Sequence, residues 1–154
     1  MKTIQAAYIA AFLAISPTNG AAASEFGNDL PEYQSAVMSI LRLHLKAIEM
    51  LVADQNHPYT DNIVRHALAL KSTAQLLDHI YPYQKQLATM PLTNGKPWQD
   101  QKAFTALVDK SLLATKELVS ASEQWLKGNR DALPKAILQV RQSCDSCHHI
   151  FRHK

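Results

Sequence analysis

From Leu133 to Phe151 the chain places apolar or sulfur-bearing residues in steps of three and four: Leu133, Ile137, Val140, Cys144, Cys147 and Phe151. On a helix of 3.6 residues per turn these positions share one side. Both cysteines therefore lie on the face that has to be buried. A helix that buries its thiols requires neighbouring helices to cover them, and the rest of the chain supplies three.

Only four glycines occur among 154 residues, and breaks containing Pro or Gly separate four segments of helical period. The first spans about 31–53, opened by Asp29-Leu30-Pro31 with Glu32 in its first turn, as suits the start of a helix. Its apolar stripe is Val37, Met38, Leu41, Leu45, Ile48, Leu51 and Val52. The second spans about 60–81 and carries Ile63, Ala67, Leu70, Ala74, Leu77 and Tyr81, with Pro82 beyond it. The third, about 98–126, aligns Phe104, Val108, Ser111, Thr115, Leu118, Ser122 and Trp125. Gly128-Asn129 closes it, and Asp131 is expected to cap the fourth, about 132–152. Four amphipathic helices of about 20 residues predict an all-α four-helix bundle, an architecture that builds cofactor sites between facing helices.

Within the last helix, Cys144-Asp145-Ser146-Cys147-His148 has the Cys-x-x-Cys-His spacing that attaches a c-type haem. Each thiol adds to a vinyl group, and the adjacent imidazole, His148, becomes an axial iron ligand. Rival readings lack their partners. Zinc needs four tetrahedral ligands, and no second Cys/His pair at finger spacing accompanies Cys144 and Cys147. A dithiol oxidoreductase places its reactive pair at a helix start, after a strand; here the pair is near a helix end. An inert disulfide is the third alternative. The expected cofactor is one covalent haem c, buried in the bundle. His149 points about 100° further round the helix. His44, His57, His66, His79 and His153 are scattered and read as solvated or hydrogen-bonded histidines.

The N-terminus reads as an export signal. Lys2 precedes a short apolar run from Ile4 to Ile15, and Ala21-Ala22-Ala23 offers an A-x-A cleavage pattern. About twelve apolar positions are too few for a spanning helix. The expected domains are a cleaved signal peptide, 1–23, and a haem domain, 24–154, in the periplasm with no membrane span after processing. Formal net charge is +3 at pH 7, and cleavage removes only Lys2 among the charged residues. No basic run or stripe appears, which excludes nucleic acid as the expected partner. No paired carboxylate motif, nucleophile elbow or phosphate loop points to an enzyme.

The chain resembles the class II c-type cytochromes, cytochrome c′ and its low-spin relatives of the c-556 type. The likeness rests on Ser143-Cys144-Asp145-Ser146-Cys147-His148-His149-Ile150-Phe151-Arg152, and on Gly128-Asn129-Arg130-Asp131 before the last helix. Lys96-Pro97-Trp98-Gln99-Asp100 with Phe104, and Tyr33 to Met38 with His44, add order and spacing over the whole mature chain. The resemblance implies an antiparallel up-down-up-down bundle, thioethers at Cys144 and Cys147, and iron ligation by His148. It also implies Arg152 near the proximal haem face and Met38 facing the distal iron. In c-556-like members a methionine there is the sixth ligand; in cytochrome c′ the residue fills a pocket beside five-coordinate iron. One departure stands out. The family commonly carries arginine four residues before the distal position, and this chain has Gln34, leaving Arg42 or Lys46 as cationic substitutes.

These readings predict a periplasmic electron-transfer protein cycling Fe(III) and Fe(II), with redox proteins as partners. The alternative is a five-coordinate protein binding NO or CO in an apolar pocket of Met38, Val37 and Leu41. Pairing of two bundles through the first two helices is a further implication of the resemblance. A haem-free redox or zinc module is the reading from another class.

Overall fold

The computed structural model describes residues 19–54, 56–79 and 99–152, with side chains from residue 31 onward. It comprises α1 (Asn19–Ala53), a 3-10 turn (Thr60–Asn62) leading into α2 (Ile63–Ala74), α3 (Gln101–Leu126) and α4 (Ala132–Phe151). Each of the four expected helices is present, in the expected order. The first 18 residues of the expected leader, the Lys96-Pro97-Trp98 block, Tyr81 and His153 lie outside the described residues.

Helix boundaries differ from the periodicity reading in ways that local chemistry explains. α1 continues through Pro31 rather than starting there. A proline ring forfeits one hydrogen bond and crowds the carbonyl four residues back, which here is that of Gly27. α2 ends at Ala74, earlier than expected, and runs into turns stitched by Leu77 N–H to Ala74 O and His79 N–H to Leu76 O. α3 begins at Gln101 because Asp100 caps it, its carboxylate accepting from the Ala103 N–H at 3.1 Å.

The turn from α3 to α4 is a Schellman arrangement. Asn129 N–H reaches Gln124 O and Gly128 N–H reaches Trp125 O, each at 3.0 Å. Gly128 has φ +93°, a conformation that costs a side chain strain. Asp131 does occupy the N-cap of α4, but its side chain makes no capping bond. That expectation is corrected: the backbone there is already helical (φ −80°, ψ −29°), unlike the extended geometry that aims a cap side chain at the N–H groups.

Helices adjacent in sequence pack on each other, α1 on α2, α2 on α3 and α3 on α4, giving the antiparallel four-helix bundle. The backbones of α1 and α4 stay further apart, and the Glu49–Arg141 ion pair ties their surfaces. The core is consequently in two parts. The larger holds Ile48, Leu51, Ile63, Leu70, Leu118, Trp125, Leu133 and Val140; the smaller holds Val37, Phe104, Val108 and Phe151.

Candidate functional site

Between the two core clusters, and between α1 and α4, lies a cavity of about 480 Å³, within the size range of small-molecule and cofactor sites. Its α4 side is Val140, Arg141, Ser143, Cys144, Asp145, Cys147, His148, Phe151 and Arg152, of which Val140, Cys144, Cys147 and Phe151 belong to the stripe read from sequence. Its α1 wall is Ser35, Met38, Ser39, Leu41, Arg42 and Leu45. Met38 and the Cys-x-x-Cys-His motif thus face one space from opposite helices.

Small side chains hold that space open. Ala74, Ser111, Thr115 and Ser143 line it where larger residues fill the bundle above and below. The hydroxyls do not make it polar. Ser111 donates to Leu107 O at 3.0 Å, Thr115 to Leu112 O at 2.9 Å and Ser143 to Val140 O at 2.8 Å. With these donors satisfied by their own helices, carbon faces the cavity. At one end Phe104 and Phe151 meet edge to face, ring centroids 5.4 Å apart.

The two cysteines form no disulfide with each other, and each is half-buried. Burial raises the Cys144 pKa, and burial with the neighbouring Cys144 pushes Cys147 up to about 11. They are therefore protonated at neutral pH, the opposite of the low-pKa thiolate a dithiol oxidoreductase exploits. Burial chiefly, and then the Arg152 charge, lower the His148 pKa, with Asp145 opposing. A neutral imidazole keeps the lone pair that a metal requires. Among the described residues no group of three or more His, Cys, Asp or Glu is placed to hold a metal ion.

The arrangement fits a covalently held haem. An apolar cavity interrupts the core, two protonated thiols one turn apart open onto it, and a neutral imidazole follows the second. Cys144 and Cys147 would hold the group and His148 its iron. Of the remaining sequence candidates, Arg152 and Leu41 line the cavity, whereas Gln34 and Val37 do not. Gln34 is fully buried, and Val37 packs in the smaller core cluster with Phe104 and Phe151. They sit four and one residues from Met38, a spacing that carries Val37 about 100° away around α1. Leu41, Arg42 and Leu45 line the cavity together with Met38. Sequence reasoning missed the small residues of α2 and α3, although Ser111 and Thr115 interrupting an apolar stripe were their visible signal. His149 is exposed. No described helix is long and apolar enough to cross a membrane.

A family model described as Cytochrome C' matches residues 29–152. No curated protein sequence matches the chain. Among solved structures, a nitric oxide complex of a cytochrome c prime variant from Alcaligenes xylosoxidans shares 20% identity with a TM-score of 0.70, covering 83% of this chain and 97% of that one. The cytochrome c' of Thermochromatium tepidum shares 16% identity at a TM-score of 0.70, again covering 83% and 97%. That from Rhodobacter Spheriodes shares 20% at 0.67, covering 83% and 98%. These likenesses concern the fold.

Proposed function

The chain belongs to the cytochrome c′ family of covalent haem c proteins, and from that premise we propose that it is an exported electron carrier with Met38 and His148 on opposite iron faces. The observation that carries this reading is the single cavity joining Met38 on α1 to Cys144, Cys147 and His148 on α4. When bound, the haem supplies an iron that alternates between ferric and ferrous states. The chain supplies the rest. Cys144 and Cys147 fix the cofactor covalently, and His148 is held neutral for ligation. Met38 presents a soft thioether, which raises the reduction potential relative to anionic ligands. The packed bundle keeps reorganisation on electron exchange small. The Ala21-Ala22-Ala23 cleavage pattern supports export to the periplasm.

One observation favours a second reading. On α1 the aliphatic stretch Leu41 and Leu45 continues from Met38 along the cavity, and a related fold is described as a nitric oxide complex. In that reading Met38 only fills the pocket, and NO or CO binds five-coordinate iron.

Absorption spectra of the reduced protein separate the two. The carrier reading expects a low-spin spectrum with a thioether–iron band that Met38→Ala converts to high-spin. A high-spin spectrum unchanged by Met38→Ala would overturn ligation by Met38 and favour gas binding.

A further inference from the structure

Away from the cavity, α1 and α2 bring two histidines together. His44 Nδ1 and His66 Nδ1 are 3.0 Å apart, with ring centroids at 5.3 Å and planes inclined by 48°. Both rings are half-buried. Neither lines the haem cavity, so the pair does not belong to the site already described. In the metal-free protein one Nδ1 donates a hydrogen to the other.

We infer that His44 and His66 form a two-imidazole site for a divalent transition-metal ion of right-angle coordination preference, copper(II) being the tightest. The argument is geometric. Imidazole nitrogens sit about 2.0–2.1 Å from such ions. Two donors 3.0 Å apart then subtend about 95° at a shared metal, given those bond lengths. That is the cis angle of square-planar or octahedral ions, which imidazole suits. It is narrower than the tetrahedral angle zinc(II) adopts. Linear two-coordinate copper(I) is excluded, because it would need the nitrogens about 4 Å apart at the same bond length.

Protonation also favours binding. A ligating histidine must be neutral, and burial together with the proximity of His66 lowers the His44 pKa. When both Nδ1 atoms bind the ion, each ring keeps its hydrogen on Nε2, so the neutral pair rearranges without losing a proton. Solvent completes the coordination sphere. Backbone position is set by helices packed through Ile48, Ile63 and Ala67, so the donors are held together before the ion arrives.

The test uses the full haem-loaded protein and copper(II) alone. Expected are one copper(II) per chain at this face, an electron paramagnetic resonance spectrum with two nitrogen ligands, and a rise in the unfolding temperature. His44→Gln and His66→Gln are each expected to weaken binding by about tenfold or more, whereas His149→Gln leaves it unchanged. Zinc(II) should bind more weakly than copper(II). Circular dichroism checks that the variants stay helical; if they do not, the temperature shift and nitrogen count of the parent protein still decide. The site is refuted if copper(II) leaves the parent's unfolding temperature unchanged. Parent-like affinity in both histidine variants, or loss of binding only in His149→Gln, would refute it as well.

Discussion

Individual side chains here owe their chemistry to burial more than to identity. Cys144 and Cys147 are ordinary thiols made reluctant to ionise by the apolar space they face. His148 is held neutral mainly by the same desolvation. His44 responds likewise, and its response has a measurable sign. An unperturbed histidine titrates near pH 6.5, and the folded protein lowers that value for His44 through burial and the nearby His66. As pH falls through the unfolded value, the unfolded chain therefore takes up the proton more readily than the folded one, and stability declines. Unfolding temperatures measured between pH 7 and pH 5 should fall with pH in the parent protein, and less steeply in His44→Gln. A parent and variant with identical pH slopes would contradict the linkage.

Helices decide which of these side chains can meet. α4 carries the haem motif on a stripe legible in sequence, because 3-4 spacing fixes a face without any knowledge of the partner. α1 carries Met38 and, one turn later, Arg42, both on the cavity wall. Where the family resemblance implies an arginine this chain has Gln34, which is buried and does not line the cavity. Lys46 is exposed and does not line it. Arg141 is engaged by Glu49, whereas Arg42 has no ion-pair partner among the described residues. Arg42 is thus a cation on the α1 wall that is free to face the carboxylates of a bound haem. A positive charge nearby disfavours the more positive ferric state. Arg42→Gln should lower the reduction potential in a spectroelectrochemical titration, Arg42→Lys should restore most of it, and Lys46→Gln should change it less. Equal shifts for Arg42→Gln and Lys46→Gln would show that only net charge matters.

For the molecule as a unit, the division of the core is the organising fact. Of the larger cluster's buried residues only Leu70 and Val140 reach the cavity, and Leu118 is completely buried. Leu118→Ala should cost about 2–5 kcal/mol in urea unfolding, the range for truncating a buried leucine. The haem spectrum should be unchanged, since Leu118 is not on the cavity wall. Leu113→Ala on the same helix, at 57% exposure, should stay within about 0.5 kcal/mol of the parent. A large loss for Leu113→Ala would mean that its face is covered in solution.

What the amino-acid order settled is everything that depends on near neighbours in the chain. Helical period, the Gly128 turn, the shared face of Cys144, Cys147 and Phe151, and the Cys-x-x-Cys-His spacing are all properties of a few turns, so they could be read directly. The pairing of α1 with α4 across a cavity, the small residues of α2 and α3 that keep it open, the exclusion of Val37 and Gln34, and the meeting of His44 with His66 could not. Each depends on how one helix is rotated and set against another, and that is fixed by packing summed over the whole bundle. The haem-binding stripe was therefore written in the sequence, while the space it faces came from the assembly of all four helices.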